Sequence, residues 1–227
     1  MLSQQSLVLE LGCGISALAG LLLAPRIARY VLTDQPYVAK LVEQNIAENH
    51  QTQTRGGGAP AKTARTSKRA SPNPNPGAAA RKGAVAGNVA RAGGIHFTPL
   101  DWETDRVTPA LAAGSGEVKS FDVVLACDCI YNEALIEPFV STCVDVCSLR
   151  AADASSSSSS SASNPCVCVV AQQLRDPLVF EAWLTTFAES FHVWRVPDEL
   201  LHKGLRSNSG FVVHVGVLKD AISIEAL

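Results

Sequence analysis

Glu10, Asp34, Asp101 and Asp128 each stand in or just past an apolar run, and Gly12-Cys13-Gly14-Ile15-Ser16-Ala17 lies between the first two. Carboxylates gathered around a G-x-G-x-x-A turn suit a nucleoside-containing ligand. The glycines let the backbone turn tightly and approach the ligand, and the small residue lets the next helix lie against the strand. The turn alone does not separate dinucleotides from other ligands. Glu10 does, because it precedes the first glycine by two residues. A pyrophosphate there would meet a like charge, and two unit charges about 4 Å apart interact by about 4 kcal/mol at the dielectric of a protein surface. S-adenosylmethionine offers a cationic ammonium and sulfonium instead, so Glu10, Gly12 and Gly14 are expected to line the site of such a cofactor. The structural alternative for Glu10 is a strand-end carboxylate capping the following helix.

Asp34 follows the glycines by about 20 residues, a spacing that puts an acid over a ribose and fits S-adenosylmethionine and NAD equally. Its alternative role, compatible with the first, is to cap a helix opened by Pro36. Asp101-Trp102 is suited to an adenine, the carboxylate accepting from the amino group and the indole bordering the ring; a Trp packed under a loop is the plainer reading. Asp128 and Tyr131 belong to the same mouth, with Ala126 ahead of them at the end of their strand. A buried, hydrogen-bonded turn residue is the alternative for Asp128. Cys127-x-Cys129 and Cys166-x-Cys168 have the spacing of strand alternation, and no His is placed to complete a metal site, so none is expected.

These residues need strands to aim them at one edge. Leu7–Leu11 reads as a buried strand that turns into an apolar helix from Leu18 to Ala24. Arg29–Thr33 is a second strand, and Val38, Leu41, Val42 and Ile46 mark one face of a helix fading by Asn49. Ile95–Leu100, Phe121–Ala126 and Pro165–Ala171 are further strands. A helix near Pro138 is expected to bury Phe139, Cys143, Val146 and Cys147. Another, opened by Asp176-Pro177, carries the apolar stripe Phe180, Trp183, Leu184, Phe187 and Phe191. His192–Val196 and Gly210–Val217 follow without a helix between them, which predicts an antiparallel pair at the sheet edge. Strand and helix alternate, so the fold class is α/β, a Rossmann-like doubly wound sheet.

A chain of 227 residues suits a single domain, 1–227, with low-complexity insertions at 51–93 and 151–164. The first insertion holds eight Lys and Arg and no acid; without those eight, 11 basic residues face 21 acidic ones, a net charge of −10. An acidic body suits a basic protein substrate and argues against nucleic acid except through that basic insertion. No run reaches the ~20 apolar residues that cross a bilayer. No secretory signal opens the chain, and the seven cysteines are expected to be reduced thiols. A cytoplasmic monomer is expected, with the nucleus as the alternative location.

Leu9-Glu10-Leu11-Gly12-Cys13-Gly14, Thr33-Asp34, Leu100-Asp101-Trp102 and Asp128-Cys129-Ile130-Tyr131 together resemble the seven-stranded S-adenosylmethionine methyltransferases of the non-SET protein-lysine branch. Within that branch the likeness is to the ribosomal lysine methyltransferases. The resemblance implies S-adenosylmethionine as cofactor, held by Glu10, Gly12, Gly14, Asp34, Asp101, Trp102 and Ala126. It also implies an acceptor lysine bordered by Asp128 and Tyr131, and a protein substrate, a large-subunit ribosomal protein. Members of that family carry elements ahead of the glycine strand, so this sequence is expected to be a methyltransferase lacking them; a non-catalytic binding module is the alternative.

Overall fold

The computed structural model describes residues 2–55, 94–112, 119–156 and 164–219. Seven strands form one sheet in the order β3-β2-β1-β4-β5-β7-β6. They are β1 (Leu7–Leu11), β2 (Arg29–Asp34), β3 (Gly94–Pro99), β4 (Val123–Cys127), β5 (Val167–Gln173), β6 (Phe191–Arg195) and β7 (Phe211–Leu218). The first five are parallel, and β7 runs antiparallel to both β5 and β6. The expected doubly wound sheet with its antiparallel edge is therefore met, with β7 inserted between β5 and the edge strand β6.

Helices cover both faces, which is why β1 reads as a nearly unbroken apolar run and all five of its residues are buried. Alternation sends Leu7, Leu9 and Leu11 into a core with Val124, Ala126, Phe139 and Trp183, and Val8 into a second core with Tyr30, Leu32 and Val42. α1 (Leu18–Leu23) passes so close to the second face that a Cβ on Gly20 would lie 2.7 Å from Ile95. α3 (Ile136–Ser156) and α4 (Pro177–Ser190) pack on the first face. There Trp183 stacks on Phe187 and Phe187 on Phe191, at 5.4 and 4.2 Å between ring centres. The Phe187 ring sits over Gly216 of β7, where a Cβ would come within 2.6 Å of it. Phe191 itself opens β6 rather than ending α4.

Helix boundaries move most. α2 (Ala39–Arg55) follows a short 3₁₀ turn at Pro36–Val38 and runs past Asn49 into the stretch read as an insertion. Polar residues such as Glu, Gln, Asn and Thr end an apolar stripe without ending a helix, and periodicity registers only the stripe. α3 starts at Ile136 and continues through Ser156, into the serine run. Residues 56–93 and 157–163, the rest of the two expected insertions, lie outside the described residues. Among the described residues no helix is long and apolar enough to cross a membrane.

Candidate functional site

β1 is flanked by β2 on one side and β4 on the other, so the chain reverses its winding direction there. In open α/β sheets the crevice beyond the carboxyl ends of such strands is where ligands bind. A cavity of about 670 Å³ occupies that place, lined by the β1 turn, the ends of β2 and β3 and the segment after β4.

The β1 turn is built from left-handed residues, Gly12 at φ 66°, Gly14 at φ 60° and, less usually, Ala17 at φ 52°. A Cβ on Gly12 would stand 2.8 Å from Cys129 Cβ and 3.3 Å from the Trp102 ring, so only glycine lets these elements close together. The Cys13 N–H donates to the Thr33 carbonyl at 3.0 Å, and the Thr33 hydroxyl donates to the Glu10 carbonyl at 2.7 Å. Asp34 completes the brace: its carboxylate accepts from Gly14 N–H at 2.8 Å and Gln35 N–H at 2.7 Å. It lines the cavity, and the 3₁₀ turn at Pro36 has no side-chain cap, so Asp34 serves the glycine turn rather than the following helix.

Trp102 also lines the cavity and meets Phe139 edge-on, with 5.3 Å between ring centres. Its Nε1 is buried and has no acceptor among the described residues. Asp101 does not line the cavity. Its carboxylate accepts from Glu103 N–H at 2.9 Å, while its own N–H donates to Asp105 at 2.8 Å. The Glu103 amide, followed by the Gln35 side chain, holds its carboxyl below the usual range. Asp101 thus shapes the turn that presents Trp102.

Glu10 is the larger departure. It shares a face with Val8 and Leu32, so its carboxylate enters the layer under α1 and α2, 4% exposed, and is absent from the cavity lining. Tyr30 Oη donates to it at 2.7 Å. Burial raises its pKa from 4.5 to about 7, against the opposing Tyr30 hydrogen bond and with a smaller upward push from Asp34. Ala126 is likewise buried, facing the first core, and the next residue, Cys127, stands at the cavity wall instead.

Asp128 and Tyr131 are brought to the cavity as expected. Asp128 has φ 55°, and its carboxylate accepts from Arg175 Nη1 at 2.7 Å and Nη2 at 2.5 Å, with the Gln173 N–H at 3.2 Å from Oδ1. Both carboxylate oxygens are therefore already engaged by a bidentate guanidinium. Tyr131 is 68% exposed at the rim. Sequence reasoning missed Arg175, which lies outside the lining, and in the lining it missed Gln35, Tyr37, Cys127, Cys129 and Leu135. Arg175's only signal was a cation placed between the end of β5 and the Asp176 cap of α4. Burial pushes the Cys127 thiol up to about 11, so it is a neutral wall, and no metal-binding group of three or more His, Cys, Asp or Glu exists among the described residues.

Seven strands in this order, with the glycine turn and a cavity at the reversal, define a class I methyltransferase-type fold. A methyltransferase from Pyrococcus furiosus aligns over 96% of this chain and 77% of its own, with TM-score 0.50 and 10% identity, which bears on the fold. Residues 80–157, which hold β3, β4, the Asp128 to Tyr131 segment and α3, match the lysine methyltransferase family model. Ribosomal lysine N-methyltransferase 5 of Saccharomyces cerevisiae strains YJM789 and S288c is 32% identical over 145 residues, 60% of this chain and 38% of the relative. The chain spans well under half the length of those curated relatives.

The residues present fit S-adenosylmethionine, the cofactor of that class. A Cβ on Gly14 would meet nothing within 4 Å, so the turn is open to a ligand; Asp34 offers the acid for ribose hydroxyls and Trp102 a buried, unpartnered donor beside an aromatic wall.

Proposed function

We propose that this chain carries the cofactor-binding and acceptor-positioning core of an S-adenosylmethionine-dependent protein-lysine N-methyltransferase acting on a ribosomal protein of the large subunit. The observation that supports it most is that one cavity joins the braced glycine turn and Asp34 to Asp128 and Tyr131 across the β1/β4 reversal. Gly12, Gly14, Asp34 and Trp102 would hold the cofactor. S-adenosylmethionine, when bound, supplies a methyl group activated on a sulfonium, to be taken up by a neutral amine.

The chain's own part is placement, and orientation of two reactants accounts for about 7–11 kcal/mol of a barrier in favourable cases. Leu135, Cys127 and Cys129 give that end of the cavity apolar or neutral walls. An amine entering there loses water, which disfavours its ammonium form relative to the free lysine pKa of about 10.4. Tyr131 stands at the rim with its ring free to align the acceptor's alkyl stem. A basic ribosomal protein suits the net charge of −10 carried outside residues 51–93. This reading goes with a monomeric enzyme in the cytoplasm, with the nucleus as the alternative location.

The test is transfer of labelled methyl from S-adenosylmethionine to isolated large-subunit proteins, followed by mapping of the modified residue. Label on a lysine Nζ, lowered at least about tenfold by Tyr131→Ala with S-adenosylhomocysteine affinity retained, is the expected result. Label appearing only on nucleic acid or a small molecule would contradict the proposal.

A further inference from the structure

Arg175, itself outside the cavity lining, pairs with Asp128, whose carboxylate the acceptor reading expects to meet an incoming cation. Asp128 is held from several directions. Its N–H donates to the Ala171 carbonyl at 2.7 Å, Gln173 N–H approaches its Oδ1, and Arg175 grips both oxygens. Arg175 is fixed in turn by the chain on either side. Its N–H donates to the Gln173 carbonyl at 3.0 Å, and the next residue, Asp176, caps α4 by accepting from Leu178 and Val179. The end of β5 and the start of α4 therefore deliver a guanidinium to Asp128, among the described residues the acid that borders the acceptor end of the cavity. A bidentate fork on a carboxylate is the strong, geometrically specific form of this contact.

The other titratable groups facing the cavity are Cys13, Asp34, Tyr37, Cys127, Cys129 and Tyr131. Burial raises the three thiols, leaving them uncharged near neutrality. Asp34 belongs to the glycine-turn end, tied to Gly14. Behind the wall lies Glu10, bonded to Tyr30. Among the described residues no Lys, Arg or His lines the cavity, so Arg175 is the cation there that decides whether Asp128 presents a free negative charge.

A bare carboxylate beside an amine favours the ammonium, which binds well and cannot accept a methyl group; a carboxylate already neutralised by a guanidinium does not. We propose that Arg175 is a positioning residue of the acceptor site: by occupying Asp128 it keeps the rim electrically neutral, so that the acceptor is received as an amine and not trapped as an ammonium. This rests on the lysine-acceptor reading above and deepens it.

The test compares wild type with Arg175→Met, Arg175→Gln, Arg175→Lys and the double variant Arg175→Met/Asp128→Asn, each checked for folding by circular dichroism. The probe is n-butylammonium, titrated calorimetrically at pH 7 in the presence of S-adenosylhomocysteine. Arg175→Met is expected to bind it at least about fivefold more tightly than wild type, a gain scaled to a partly exposed ion pair. Arg175→Lys is expected to stay near wild type, and the double variant to lose the gain. Arg175→Gln, which keeps a donor for Asp128, gives the same reading if the Met variant does not fold. With a lysine-bearing substrate, Arg175→Met is expected to lower KM, lower kcat at pH 7 and move the rising limb of the pH profile about one unit upward. A merely structural Arg175 would move no limb. Unchanged butylammonium affinity in folded neutral variants, or a gain that survives Asp128→Asn, would overturn the proposal. If the gain is found but wild type methylates no lysine, the charge role of Arg175 stands and the lysine-methyltransferase reading falls.

Discussion

Glu10 shows how strand alternation decides where a carboxylate ends up. Its acidity ahead of the glycine turn suggested a ligand contact, yet strand alternation puts it on the face covered by α1 and α2, where Tyr30 receives it. The consequence is a stability effect. Its folded pKa of about 7 lies above the ordinary 4.5, so the folded state binds more protons than the unfolded chain between those values. Stability from this group is fully present below about pH 4.5, declines as pH rises through that window, and is lost above 7. At about 1.4 kcal/mol per unit the loss is on the order of 3 kcal/mol. Urea unfolding at pH 5 and pH 8 should show this decline in wild type and a flatter dependence in Glu10→Gln, which keeps an acceptor for Tyr30. At the same scale, the gathering of Gly12, Gly14, Asp34, Trp102, Asp128 and Tyr131 at one cavity was legible from their offsets from strand ends. Arg175 was not, since its partner lies 47 residues away and no local pattern encodes a cross-strand ion pair.

At the scale of elements, β1, β2 and the α4 cap were legible because buried parallel strands and an Asp-Pro helix start both have strong local signatures. The ends of α2 and α3 were not: each helix outlasts its apolar face, and a polar or serine-rich turn is invisible to periodicity. The apolar stripe read on α4 is core at Trp183 and Phe187, both fully buried. Their stack bridges α4 to the antiparallel edge through Gly216 and Phe191. Phe187→Ala is therefore expected to destabilise the chain by about 3–5 kcal/mol, read by urea unfolding. Trp183→Phe, which keeps most of the volume, is expected to cost far less.

At the scale of the whole molecule, the reversal of strand order at β1 and β4 is what brings residues 12, 34, 102, 128 and 131 to one cavity, although they span more than half the sequence. Alternating strands and helices predict the doubly wound class, but the order of strands is a long-range property that composition and spacing do not carry; the insertion of β7 beside β5 is one such case. This reversal is where S-adenosylmethionine is expected to bind. That expectation is tested most directly by calorimetric titration of the purified chain with S-adenosylhomocysteine, with NADH as a parallel titrant and Asp34→Ala as control. Saturable binding of S-adenosylhomocysteine alone, weakened at least about tenfold when Asp34 no longer braces Gly14, is the predicted result. A folded chain that binds NADH instead, or binds neither ligand, would contradict it.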